Sequence, residues 1–349
     1  MRDDGAVACW GHNARGQSGA PDAKLPVIAQ PTVVDLEGNV AAEVAAHFDH
    51  SCARTDDGDV WCWGRNHLGM VDPGAPEEVN LAPQRVEGVS DATAVRVGLR
   101  SSCARHADDS LTCWGWDDYG LLLTEEATSE PVTSGPFEGM VDYQLGFYHG
   151  CYWTADDVWC WGRNNWGQVG VSPGSGEFAE PQAVPLPGTP QLVAVARNHA
   201  CAVLEDGSVW CWGNNETNQI ADGEPAEFPD PVQLEAPWTG SPARLFALNW
   251  HTCVETDRAE LWCWGGIAAG WLGVEGVATN APLWPPQRLA AADELRSPIE
   301  QIGVGQSHVC TLLDSGEVYC WGNASLWQIG PTAPPVGSDT VRVDPCDTM

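Results

Sequence analysis

The sequence predicts an all-β protein: a single seven-bladed β-propeller of four-stranded blades, its ring closed by strands from both termini. Three observations predict it. A Cys-Trp-Gly triplet recurs, with its cysteine at Cys9, Cys62, Cys113, Cys160, Cys211, Cys263 and Cys320, so the repeats run 47 to 57 residues long. Apolar and polar residues alternate with period two inside each repeat, and nothing sustains a period of 3.6, which argues for strands. Asp-Gly turns separate paired runs, as in DDG (56–58) and EDG (205–207), and such turns close antiparallel hairpins. About four short strands per ~50-residue repeat, seven times over, make a propeller whose blades bury their faces against each other.

Each repeat keeps one internal order. Alternating segments come first, as in LVAVARNHACAVL (192–204), then the turn, then a segment such as VWCWG (60–64) or VYCWG (318–322). A loop with Asn, Gly or Gln follows, as in GRNNWGQVG (162–170), and a Pro/Gly/Glu-rich stretch leads to a last short strand such as PQAVPL (181–186). The expected blades are 338–349 with 1–40, then 41–90, 91–139, 140–190, 191–242, 243–297 and 298–337. The first repeat lacks its first half, so the C-terminal tail is expected to complete it. The opening MRDDGAVACWG begins in mid-repeat and has no basic region followed by an apolar run. It reads as the start of a mature or trimmed chain, or as a misplaced start.

The cysteines follow from the hairpins. Counting outward from Asp57-Gly58, residues 53 and 61, 54 and 60, and 55 and 59 fall opposite one another, which brings Cys52 to face Cys62. Facing positions of an antiparallel pair lie within disulfide reach. The same spacing pairs Cys103 with Cys113, Cys201 with Cys211, Cys253 with Cys263 and Cys310 with Cys320, while Cys151 and Cys160 are one residue closer. Cys9 and Cys346 are left, and they are expected to pair where the tail completes the first blade. Zinc fits poorly, because the His-x-Cys groups are scattered one per repeat and no C-x-x-C occurs. Persistent disulfides imply an oxidising compartment: extracellular, periplasmic or cell-surface.

Charge narrows the partners. Lys+Arg number 16 against 48 Asp+Glu, a formal charge of −32, and Lys24 is the single lysine. Such a chain repels phosphate backbones and anionic membranes, so nucleic acid is not expected as a partner. The charge suits a basic partner or a cation, and it also keeps a loop-rich protein soluble. No run approaches the ~18–20 apolar residues of a membrane helix, so membrane insertion is not expected. A monomer with a protein partner is the expectation.

Segments such as VAVARNHACAVLEDGSVWCWGNN (193–215) and GRNNWGQVG (162–170) resemble the regulator of chromosome condensation repeat, across nearly the whole chain. The shared marks are a small residue, x-x-His, an apolar strand, the Asp-Gly turn, the Trp-Gly pair and a G-x-N-x-x-G-Q-x-G loop. The resemblance implies a seven-bladed propeller. Ser101 departs from it where other repeats have His50, His149, His199, His251 and His308. The loop ending survives fully in GQSG (16–19) and GQVG (167–170), and partly in WQIG (327–330). Acidity and stapled cysteines fit neither the chromatin-binding nor the GTPase-exchange members of the family. They look closer to its secreted bacterial branch, with which the scarcity of lysine and the abundance of Ala, Gly, Pro, Asp and Glu agree.

The histidines share one repeat position, which a structural job in each blade explains better than a metal site or pH sensor. Trp10, Trp63, Trp114, Trp161, Trp212, Trp264 and Trp321 precede the glycine, and Trp61, Trp159, Trp210 and Trp262 flank the cysteine. These are expected to pack blade against blade. The remaining tryptophans carry more information. Trp116, Trp166, Trp271 and Trp327 lie in the loop leaving the third strand, with Tyr119 nearby. Corresponding loops emerge on one rim, so these five are the candidate partner-binding residues, since aromatic side chains dominate interface hot spots. Acidic loops at Asp117, Asp118, Glu125, Glu126 and Glu130, and at Glu224, Glu227 and Asp230, face either solvent or a basic partner. No G-x-S-x-G, H-E-x-x-H, calcium-loop or phosphate-loop spacing occurs. No catalytic residue, metal or cofactor is therefore assigned. The expected function is non-enzymatic: an extracytoplasmic protein-recognition scaffold. The alternatives are a secreted enzyme inhibitor or regulator of β-lactamase-inhibitor type and, third, a GTPase nucleotide exchange factor.

Overall fold

The Cys201–Cys211 repeat shows how the sequence builds a blade. In the computed structural model, Pro190–Val195, His199–Leu204, Val209–Asn214 and Glu227–Gln233 are consecutive antiparallel strands of one sheet. The central hairpin turns at Gly207, whose φ is +81°. Asp206 fixes that turn by accepting the Ser208 amide at 2.9 Å and its hydroxyl at 2.5 Å, the local bonding that favours Asp in turns. Cys201 then faces Cys211, and His199 faces Gly213. Pairing of the third strand with the fourth shifts register between Cys211 and Gly213. Gly213 takes φ +105°, and a Cβ on it would stand 2.5 Å from the Asn198 carbonyl oxygen. Only glycine fits this bulge, which is why the triplet ends in glycine.

The structure describes residues 5–20, 25–75, 79–125, 130–172, 176–223, 226–266, 282–289, 299–304, 308–323 and 336–343. Among them the same four-stranded meander occurs six times, and a two-stranded sheet, Ala8–His12 with Val27–Val33, precedes the first. The remaining regular element is a short 3-10 turn at Asp118–Gly120. Trp63, Trp114, Trp161, Trp212, Trp264 and Trp321 are fully buried. Each packs in a core between blades, and in five of the six the indole N–H reaches back to a backbone carbonyl of the preceding unit, Trp321 finding no such acceptor among the described residues. Trp63 donates to Gln17 at 3.0 Å, Trp114 to Met70 at 3.2 Å, Trp161 to Leu121 at 3.1 Å, Trp212 to Gln168 at 3.1 Å and Trp264 to Gln219 at 2.8 Å. The cores therefore sit between blades: Val60, Val86 and Val89 of one pack on Val95, Ala104 and Trp114 of the next. Arg96 adds a polar tie, bridging Glu43 and Asp142 on the first strands of its two neighbours.

Two expectations are corrected. Six four-stranded blades stand where seven are expected, because the first unit contributes two strands only. Among the described residues no C-terminal strand joins that unit either, and residues 344–349 of the expected closing segment lie outside them. Val336–Val343 instead pairs antiparallel with Val318–Asn323 as the outer strand of the last blade. The reason is local: in every unit the third strand is followed by its own outer strand, and the last unit obeys the same rule. Six disulfides form as expected, Cys52–Cys62, Cys103–Cys113, Cys151–Cys160, Cys201–Cys211, Cys253–Cys263 and Cys310–Cys320, with Cα separations of 4.0 to 4.1 Å. The seventh is not seen: Cys9 carries a free thiol, and Cys346 lies outside the described residues.

Candidate functional site

The pairing of second and third strands ends the same way in five blades. The residue after the Trp-Gly pair donates its amide to the carbonyl of the residue before the repeat histidine position. Arg65 bonds Asp49 at 2.8 Å, Trp116 bonds Arg100 at 2.9 Å, Arg163 bonds Tyr148 at 2.8 Å, Asn214 bonds Asn198 at 2.8 Å and Gly266 bonds Trp250 at 2.8 Å. This constant backbone frame delivers one pair of variable side chains per blade to one rim. The first pair is an ion pair, with Arg65 Nη1 3.5 Å from Asp49 Oδ2. In the second, the Arg100 guanidinium lies 3.6 Å from the centre of the Trp116 ring. In the third the order is reversed, and Arg163 lies 5.3 Å from the Tyr148 ring.

These pairs join into one surface. Tyr148 lies between two cations, 5.9 Å from Arg100 and 5.3 Å from Arg163. Arg163 also covers Tyr119 at 5.1 Å. Beside Tyr148, Phe147 meets Phe48 and His47 edge-on, at 5.1 and 5.0 Å. Arg197 lies 5.2 Å from Phe147 and 4.5 Å from Trp250. Five consecutive four-stranded blades thus contribute to a single layer of rings and guanidiniums. Stacking of this kind is worth about 0.5–2 kcal/mol per pair and holds long side chains in place. Asp117, at one edge, has its carboxyl raised above the usual carboxylate range by burial and by repulsion from Asp118 and Glu177, against the opposing pull of the Leu122 amide that it accepts.

Of the residues expected on this rim, Trp116 and Tyr119 are part of the layer. Trp166 lies in the corresponding loop but four residues beyond Gly162, at the place Tyr119 occupies in its own blade. Its amide donates to Gln168 Oε1 at 2.9 Å, and a Cβ on the adjoining Gly167 would strike Pro229 of the next blade. Trp271 and Trp327 lie outside the described residues. Sequence reasoning missed Arg100, Tyr148, Arg163 and Arg197. The signal was available, because Arg100, Tyr148 and Arg163 flank the repeat histidine position or the Trp-Gly pair, where one residue per blade is free to vary, and Arg197 stands two residues before His199.

The histidines lie inward of this layer. His50, His149 and His199 are wholly buried and His251 nearly so. His50 Nε2 is 3.0 Å from the Ser102 hydroxyl and His199 Nε2 is 2.8 Å from that of Thr252, both in the following blade. Burial pushes His50 and His251 down to about 4, and His149 and His199 to about 3, so all are neutral. Among the described residues no group of His, Cys, Asp and Glu could hold a metal ion, and no helix is long and apolar enough to cross a membrane.

Stapled four-stranded blades packed side by side define a β-propeller whose variable positions converge on one rim. The profile of the Regulator of chromosome condensation (RCC1) repeat matches residues 42–69, 192–219 and 299–325, and a second profile of the same repeat matches 156–203. The Ultraviolet-B receptor UVR8 of Arabidopsis thaliana is 29% identical over 242 residues, covering 67% of this chain and 54% of the receptor, so the match spans about half the receptor's length. The mitochondrial RCC1 domain-containing protein RUG3 of the same plant is 24% identical over 370 residues, covering 96% of this chain and 81% of the relative. Prp20p of Saccharomyces cerevisiae, described with its binding to Gsp1p and histones, shares the fold with a TM-score of 0.82 at 18% identity, over 99% of this chain and 87% of that one.

Proposed function

We propose that this propeller is a non-enzymatic, extracytoplasmic protein-recognition scaffold that acts as a monomer and docks its partner on the rim bearing Trp116, Tyr119, Tyr148 and their arginines. The observation that carries the reading is the continuous layer of half-buried rings and guanidiniums across five blades. Tyr, Trp and Arg are the residues in which interface energy concentrates. Their stacking on a stapled frame lowers the ordering cost of binding. Six disulfides support an oxidising compartment, and protein binding is the task printed for the yeast propeller of the same fold.

The test is a comparison of two variants of equal foldedness in a binding assay with a purified partner, recovered by crosslinking from the secreted or periplasmic fraction. Trp116→Ala with Tyr148→Ala should weaken binding at least about a hundredfold, the loss of two hot-spot residues. Arg85→Ala, at the outer edge and ion-paired with Asp59 at 2.7 Å, should leave it unchanged. Equal binding by both variants would refute the rim as the docking surface.

A further inference from the structure

Most described arginines are matched to a carboxylate, as Arg85 is to Asp59 at 2.7 Å and Arg244 to Glu255 at 3.1 Å. Arg100, Arg163 and Arg197 make no such pair among the described residues; they stack on rings instead. A stacked guanidinium spends its faces on the ring and leaves its edge N–H groups for an acceptor, in a fork that fits a carboxylate; the Arg163 edge meets only the neutral side-chain oxygen of Asn165, 3.1 Å from Nε and Nη2, which a carboxylate can replace. Arg197 Nε is buried and finds no acceptor among the described residues, and a desolvated donor of that kind favours any ligand that supplies one. Two acids of the rim are already engaged, Asp49 with Arg65 at 3.5 Å and Asp117 with the Leu122 amide at 3.1 Å, and Glu177 stands opposite Arg163 in the strand register without forming an ion pair with it among the described residues.

We propose that Arg100, Arg163 and Arg197, on the rings beneath them, form a binding site for the carboxylates of an acidic peptide segment of a partner protein. The inference rests on the rim being the docking surface and names what it recognises. It reverses the expectation from composition, since a chain of charge −32 suggests a basic partner. The two are reconciled by range. At physiological salt the field of distant acids is screened within about 8 Å, whereas a bidentate pair at contact acts at about 3 Å. A nucleic acid backbone, with a charge at every phosphate, meets the repulsion of the whole surface, and a short acidic segment does not.

The experiment pans a displayed library of random short peptides against the wild-type protein and against the R100Q/R163Q/R197Q variant, with foldedness checked by circular dichroism. Asp- and Glu-rich peptides should be enriched on the wild type alone. A synthesised winner should bind the wild type at least about tenfold more tightly than its Asn/Gln analogue, the loss expected for one charge-assisted bond. That second comparison uses wild-type protein only, so it stands even if the variant misfolds. Enrichment of lysine-rich or wholly apolar peptides that still require Trp116 and Tyr148 would overturn the carboxylate site while leaving the rim as a docking surface. Enrichment of nothing that depends on these residues would overturn both. Tighter binding of a single-stranded oligonucleotide than of any peptide, or self-association of the wild type that the three substitutions abolish, would equally overturn it.

Discussion

His199 Nε2 lies 2.8 Å from the hydroxyl of Thr252, the residue that follows His251 in the next blade. The same bond joins His50 to Ser102 one residue past Ser101, so in these two blades the repeat histidine ties its blade to the hydroxyl of its successor. Thr252→Val keeps the shape of the side chain and leaves a buried imidazole nitrogen unpaired. It should destabilise the protein by about 1–3 kcal/mol in urea unfolding, the penalty of an orphaned buried polar group. A variant as stable as the wild type would show the bond to be incidental.

The rule also accounts for its exceptions. Both nitrogens of His149 lack partners, as does His251 Nε2, among the described residues. Their successors place Ala200 and Val309 where Ser102 and Thr252 stand. Ala200→Ser should therefore stabilise the fold by about 1 kcal/mol, the net worth of a buried hydrogen bond, read as a higher urea midpoint with unchanged slope. A lower midpoint would mean that His149 is not waiting for a hydroxyl.

The blades were legible because period, turn and cysteine spacing each report on backbone register, and register is what a repeating hairpin conserves. Cys201 facing Cys211 and His199 facing Gly213 follow from counting outward from Gly207. Three features were not legible. The placement of Val336–Val343 depends on which unit claims an outer strand, and composition does not decide that. The partners of the histidines lie 52 or 53 residues away in the next repeat, beyond any local pattern. The rim was half-read, because tryptophan drew notice while Arg100 and Arg163 were hidden in an acidic total. Only the register shows that they stack on Trp116 and Tyr148.

Asp117 occupies the place of Asn66, Asn164 and Asn215, whose side-chain oxygens accept the amide five residues on from Val71, Val169 and Ile220. Asp117 accepts Leu122 in the same way, but burial and its acidic neighbours raise its carboxyl. A raised carboxyl opposes folding wherever it is ionised. Asp117→Asn keeps the acceptor without the charge and should raise the melting temperature at neutral pH, by an amount worth up to about 1 kcal/mol. The gain should vanish below pH ~4, where an unfolded-state aspartate is itself protonated. A gain independent of pH would refute the electrostatic cause.

Four of the buried histidines, all at the repeat position, set an acid limit. His50 and His251 are pushed down to about 4, and His149 and His199 to about 3, against about 6.5 in an unfolded chain. Below that pH the unfolded chain takes up protons that the fold refuses. Their contribution is complete above pH ~6.5 and is lost as pH falls toward 4, by up to about 1.4 kcal/mol per pH unit for each histidine. Denaturation followed from pH 7 to pH 4 should show a steep decline, made shallower by His199→Gln. A flat profile across that range would contradict neutral burial.

The cysteines separate two kinds of thiol chemistry. Each disulfide closes a hairpin of sequence separation 9 or 10, for which chain entropy in the unfolded state predicts about 2–3 kcal/mol of stabilisation. Cys201→Ala with Cys211→Ala should remove that much, and reductant should destabilise the wild type more than the variant. Cys9 behaves differently, since burial pushes its thiol up to about 12. At neutral pH it is protonated and a poor nucleophile. Cys9 is half-buried, so a thiol reagent should label it far more slowly in the native protein than once denaturant opens the fold, with peptide mapping to identify the site. Rapid native labelling of Cys9 would show that the first, two-stranded unit opens far more readily than the stapled blades beside it.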